Sequence, residues 1–171
     1  TLPKLMMKKI ALILSMIMLV CGSAYADKKK KLNEDTDKFR YDIEYCKTAS
    51  DGMVMVKVWS YSKRSRLAAA QSRKNAVHGV LFKGYAGSGN VRPQQPLVRE
   101  VGAEAKYADF FNAFFANGGE YNKYVTVTMG SQEVVKVGKE YKIGLIVSVS
   151  KDQLRKALEA AGVVKALGAG F

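Results

Sequence analysis

The chain has one histidine, one tryptophan, two cysteines and three prolines in 171 residues. So few nitrogen and sulfur donors leave a tetrahedral zinc site without its ligand set. No D-x-D-x-D-G run is present, which excludes an EF-hand calcium loop. Histidine-dependent nucleophilic catalysis would have to use His78, and spacing nominates neither a nucleophile nor an orienting carboxylate for it. We read His78 as a helix-surface or loop-contacting imidazole that shares a helix face with Gln71, Lys74, Asn75 and Phe82. The chain therefore reads as non-enzymatic, with no catalytic residue, metal or cofactor expected.

Long apolar runs are also lacking. The longest, Ile10 to Val20, has eleven residues and is interrupted only by Ser15. As a helix it spans roughly 16 Å, about half the hydrocarbon core of a bilayer. Lys8 and Lys9 precede it, and Ala24-Tyr25-Ala26 follows with small residues at the −3 and −1 positions of a signal-peptidase site. A retained helix with its amino end inside would carry the heavier positive flank, Lys28 to Lys31, outside, against the charge bias. These features predict a signal peptide within 1–26, cleaved after Ala26, and no transmembrane segment afterwards. Lipidation at Cys21 is the rival reading, and Val20 is too large for the position before a modified cysteine. Thr1 to Leu5 precede the expected initiator, Met6 or Met7, and take no part in the fold reasoning.

Acidic residues are outnumbered, 15 against 28, for a net charge of +13. Removing Lys4, Lys8 and Lys9 with the leader leaves 25 basic against 15 acidic residues, or +10. That surplus favours acidic partners such as lipid headgroups or anionic glycans. An exported protein rarely meets nucleic acid, which is therefore not expected. Residues 27–38 are polar, with Asp35 and Asp37 as solvating charges, and predict a disordered basic arm. Residues 39–171 predict a single domain. Cys46 would be its only thiol, so no disulfide forms within the mature chain; a buried free thiol is the expectation, and pairing between chains is the alternative.

Within 39–171 the pattern is α+β. Tyr41, Ile43 and Tyr45 alternate as in a half-buried strand. Met53 to Tyr61 has Val54, Val56 and Val58 on one face and Met53, Met55, Trp59 and Tyr61 with Lys57 on the other, as in a central strand. A helix is expected from about Arg64 to Phe82, with close packing at Gly79. A second is expected from about Ala103 to Ala116, where Tyr107, Phe110, Phe111, Phe114 and Phe115 form a core stripe. Three strands follow: one with Val125, Val127 and Met129, a return over 133–137 through a Gly130-Ser131 hairpin, and a long strand from Tyr141 to Val149. Ser150 and Gln153 predict a capping box for a last helix, and the apolar tail after Gly162 should dock on the body. The expected fold is a mainly antiparallel sheet of about five strands, order ββααβββα, with helices on one face.

Gly84-Tyr85-Ala86-Gly87-Ser88-Gly89 has the glycine density of a phosphate loop. It follows a helix instead of a strand and lacks the G-K-[ST] ending, so it reads as a turn. The basic set Lys63, Arg64, Arg66, Arg73 and Lys74 is the candidate binding site. Arg66 and Arg73 lie seven apart and so share a helix face, from which they could grip a phosphate or carboxylate polymer.

Ala76 to Gly84, Asp109 to Phe115 and the run from Val137 to Gly162 with its Gly-Ala-Gly-Phe end resemble a family of small secreted proteins of Gram-negative bacteria, over about residues 40–171. That family has no assigned activity, so the resemblance implies no functional residue. More remotely, the strand, alanine-rich helix and later strands are similar to the amino-terminal domain of flagellar protein T and related outer-membrane lipoproteins. This implies a part in assembling envelope machinery; the poor lipidation site departs from those lipoproteins. The reading is an exported, non-catalytic envelope protein, periplasmic or outer-membrane associated, that binds an envelope protein or anionic envelope polymer as an accessory or assembly factor. An anionic-glycan or lipid-surface binder and a hydrolase with an unrecognised site are the alternatives. Oligomeric state is left open.

Overall fold

A computed structural model describes residues 39–48, 52–65, 69–87, 89, 92–128, 130 and 132–165. The expected signal peptide with Ala24 and Ala26, Cys21, the expected basic arm, Arg66 and the last six residues lie outside the described residues. The chain divides into units 1–38 and 39–171, and the account below concerns the second.

The fold is α+β, a five-stranded, wholly antiparallel sheet with helices. Strand β1 is Tyr41–Thr48, β2 is Met53–Ser62, β3 is Val125–Val127, β4 is Glu133–Val137 and β5 is Glu140–Ser150. The helices are α1 (Ala69–His78), α2 (Ala103–Lys106), α3 (Ala108–Phe114) and α4 (Lys151–Ala160). A π-helical turn, Gly79–Lys83, continues α1, and a 3-10 turn, Glu120–Tyr124, leads into β3.

The path across the sheet is β1-β2-β5-β3, with β4 also on β5. β3 and β4 do not form the expected hairpin with each other. Both pair with the same side of β5, β3 against Val147–Val149 and β4 against Glu140–Gly144. The register shifts by three residues between them, so β3 and β4 follow each other along the same edge of β5. Its real turn is Gly138-Lys139, where Gly138 has φ 60 and Val137 pairs with Glu140.

One face of β2 is buried from Val54 to Ser62 at every second residue. Ile143, Leu145, Val147 and Val149 of β5 share that side, and α1, α4, Phe111, Phe114, Phe115 and Tyr121 complete the core. Gly79 sits where an added Cβ would fall 2.7 Å from Ile43 Cδ1 and 3.2 Å from Tyr41 Cε2. This is the close helix–sheet approach expected there. The π turn leaves the Val80 and Leu81 carbonyls to accept from the Leu97 and Val98 amides.

Four local expectations need correction. The second helix is broken at Tyr107 (φ −108, ψ 35), which ends α2 and starts α3. Ser150 makes no side-chain cap; it is still paired in β5, opposite Met53, and the Asp152 amide donates to the Gly52 carbonyl. Cys46 is exposed, because the β1–β2 register slips between Tyr45 and Lys47 and leaves it as the bulged residue. The first helix begins, as described, at Ala69, with Lys63 and Arg64 in a bend before it. Among the described residues no helix is long and apolar enough to cross a membrane.

Candidate functional site

His78 is 6% exposed, against the expected surface imidazole. Its ring stacks on Phe39 at 3.7 Å, and Phe82 and Phe115 lie within 6 Å. Nε2 lies 3.3 Å from Glu104 Oε1, and Nδ1 lies 2.6 Å from the Tyr41 hydroxyl. An ionised carboxylate only accepts, so Nε2–H donates to Glu104 and the Tyr41 O–H donates to Nδ1. Burial, with the nearby Lys83 ammonium, pushes the imidazole pKa down to about 3. Burial and the Glu104 charge push the Tyr41 phenol above its ordinary value. Both rings are thus held neutral and fully hydrogen-bonded, tying β1, α1 and α2 together.

A base relay needs its nucleophile open to substrate, and Tyr41 is only 4% exposed. The neighbouring cavity, about 570 Å³, is lined by Glu104, Phe82 and the Arg99–Ala105 segment, without Tyr41 or His78. Chain spacing gave no hint of this trio, because its members are 37 and 26 residues apart.

The predicted basic set does not gather on one helix. Lys63 and Arg64 are exposed, Arg73 is half-buried with Nε lacking a hydrogen-bond partner, and Lys74 is 5% exposed. The cause is that α1 packs with most of its surface: Gln71, Ser72 and Lys74 through Leu81 are all buried. Asn75 Nδ2 donates to Ser60 Oγ at 2.8 Å within that contact.

The face of the sheet turned away from the core offers a different arrangement. Lys57, Trp59 and Tyr61 alternate along β2 and pair with Ile146, Gly144 and Lys142 of β5. Asp42 and Glu44 of β1 lie opposite Trp59 and Lys57. None of these side chains joins the core cluster; Asp42, Glu44 and Ile146 are exposed, and Lys57, Trp59, Tyr61 and Lys142 are half-buried. A Cβ on Gly144 would fall 2.7–3.0 Å from Trp59 ring carbons, so the indole rests on a bare stretch of backbone.

Lys57 Nζ is 4.3 Å and Lys142 Nζ 5.2 Å from the Trp59 ring centroid. Lys142 also pairs with Asp42 at 3.0 Å, and Lys57 with Glu133 at 2.7 Å. The Tyr61 hydroxyl donates to Asp42 at 2.8 Å. That bond, and then Lys142, holds the Asp42 carboxyl below its ordinary value, while Asp42 raises Lys142. Arg40 forks onto Glu140 at 2.6 and 3.0 Å and lowers that carboxyl too. Exposed cation–π contacts and ion pairs are each worth only about 0–1 kcal/mol, so an incoming ligand displaces them at small cost.

One end of this sheet is strongly basic. Lys63 and Arg64 leave β2 there, opposite the Lys139 turn; Lys136 lies on β4 beside it but, paired with Tyr141, is on the Ser62 side of the sheet. All four are exposed. No side-chain hydrogen bond or ion pair is formed by any of the four among the described residues. Sequence reading singled out Lys63 and Arg64 and missed the others. It took the Trp59 side for a second apolar face, and only strand pairing brings Lys142 and Gly144 to it. Gly144 inside a nine-residue alternation was the one available signal of close approach. Comparison with known protein families, curated proteins and solved structures finds no match for this chain.

Proposed function

We propose that this is an exported, non-catalytic protein of the cell envelope that binds another envelope component on the open face of its sheet, as an accessory or assembly factor. The observation that carries the reading is the face itself. It presents aromatic and charged side chains outside the core cluster, next to Lys63, Arg64 and Lys139, which form no side-chain hydrogen bond or ion pair among the described residues. A protein without such a need covers the second face or makes it uniformly polar. The leader of the chain supports the location, and the surplus of 28 basic over 15 acidic residues supports an anionic component.

Co-sedimentation with isolated envelope fragments tests the reading. Wild-type protein is expected to pellet with them at low salt. The variant Lys63→Glu/Arg64→Glu/Lys136→Glu/Lys139→Glu is expected to lose at least tenfold in affinity. Equal capture of the two proteins removes the basic end from the account. The intact mass of protein recovered from native envelopes tests the location: a chain beginning at Asp27 supports cleavage after Ala26, and a full-length chain recovered from the cell interior defeats export.

A further inference from the structure

We infer that the ligand of this face is an acidic polysaccharide, with a pyranose ring carried on Trp59 and its carboxylates on Lys57, Lys142 and the basic end of the sheet. The inference deepens the binding reading above and rests on it. The half-buried Trp59 indole packs against Gly144 with the Lys57 and Lys142 ammonium groups over its ring, and displacing those two groups frees a rigid apolar surface at a site otherwise built of charges. A sugar ring is the ligand that matches both properties, with C–H groups on its faces and hydroxyls around its rim.

Charge selects among sugars. Lys57 and Lys142 flank the ring, and their present partners Glu133 and Asp42 are exposed carboxylates that they exchange easily for those of a ligand. Once released, Asp42, Glu44 and Glu133 become hydrogen-bond acceptors for hydroxyls. The same three carboxylates oppose any polyanion, and a uronate polymer offsets that with hydroxyls they can accept from, which a polyphosphate backbone lacks. The distance from Lys57 to Lys63 along the strand is about 20 Å, at roughly 3.3 Å per residue. A surface of that length, ending in Lys63, Arg64 and Lys139, suits a polymer better than a single sugar.

Trp59 is the only tryptophan in the chain, so its fluorescence reports on this site alone. Polygalacturonate is the probe, with dextran, single-stranded DNA and phosphatidylglycerol vesicles in parallel. Polygalacturonate is expected to change Trp59 emission saturably, with affinity falling at least tenfold from 50 to 300 mM salt. Lys57→Gln/Lys142→Gln keeps the reporter and is expected to weaken binding at least tenfold. Trp59→Ala, followed by calorimetry after circular dichroism has established that it folds, is expected to do the same.

The inference is overturned if polygalacturonate leaves the emission unchanged, if dextran binds equally well, if DNA or vesicles bind more tightly, or if Trp59→Ala binds like wild type. Failure with polygalacturonate, while envelope fragments are still captured through Lys63, Arg64, Lys136 and Lys139, discards the ligand class and keeps the binding reading. Failure with both discards both.

Discussion

His78 exchanges water for a phenol, a carboxylate and a stack of rings, and that exchange has a pH signature. Its folded pKa, about 3, lies below the ordinary histidine value near 6.5. Between these values the unfolded chain holds a proton on His78 that the folded chain does not. Stability therefore rises with pH across that window, is fully present above about 6.5 and is lost as pH falls towards 3. One such group gives a slope of at most about 1.4 kcal/mol per pH unit. Urea unfolding at pH 4, 5, 6 and 7 checks this, and His78→Gln is expected to flatten the profile; an equal slope in the variant places the effect elsewhere. Gly84 makes a sharper case. Its φ is 68, and a Cβ would fall 2.2 Å from the Gln94 carbonyl oxygen, part of a backbone that cannot swing aside. Gly84→Ala is expected to cost about 2 kcal/mol or more, seen as a lower urea midpoint at unchanged slope. The sequence marked this glycine as a turn residue. It could not show the carbonyl ten residues away that forbids a side chain. Cys46 was expected to be buried because a free thiol packs as a small hydrophobe, although the alternation already set it on the outer face with Asp42 and Glu44, where it is exposed.

Elements were legible where one period persists. The alternation over Tyr141–Val149 and the valines of β2 are the two longest runs, and they form the paired centre of the sheet. The phenylalanine stripe placed α3 against the core, although Tyr107 interrupts the helix it was expected to sit in. Pairing was harder to read than existence, since Gly130-Ser131 has hairpin chemistry while β3 and β4 both pair with β5. The consequence concerns dynamics. β5 is bordered by β2 on one side and by β3 and β4 on the other, whereas all five β4 side chains are exposed. Hydrogen exchange is therefore expected to be slowest in β2 and β5 and clearly faster in β4, which opens without disturbing the core. Equal protection of β4 and β5 would mean that the edge opens only when the whole domain does. The side-chain counterpart is that Leu158→Ala, at a position with no exposure, costs about 2–5 kcal/mol, while Val135→Ser on β4 stays within about 1 kcal/mol; urea denaturation separates the two.

At the scale of the described domain, the helices that join the core pack on one face of the sheet, and charge is distributed unevenly around the other. Lys63, Arg64, Lys136 and Lys139 gather at one end of the sheet, where Glu140, held by Arg40, feels the Lys63 charge and offsets only part of theirs. Cations kept for solubility would be spread out, because clustering raises their mutual repulsion in the folded state. The cluster is thus a feature that folding alone would not retain, and reversing it should separate stability from binding. The four changes to glutamate each shift the charge by two units and lower the net charge of the chain from +13 to +5. The thermal midpoint is expected to hold or to rise by about 2 °C at low ionic strength, with any gain shrinking towards 0.5 M salt as the charges are screened. Capture by envelope fragments is expected to fall at least tenfold over the same series. A midpoint that drops by more than about 5 °C would mean that these side chains hold the sheet end together, and the loss of binding would then follow from damage to the fold. A stable variant that no longer binds is the outcome that makes the basic end a recognition surface, and comparing the two readouts on one protein sample decides between them.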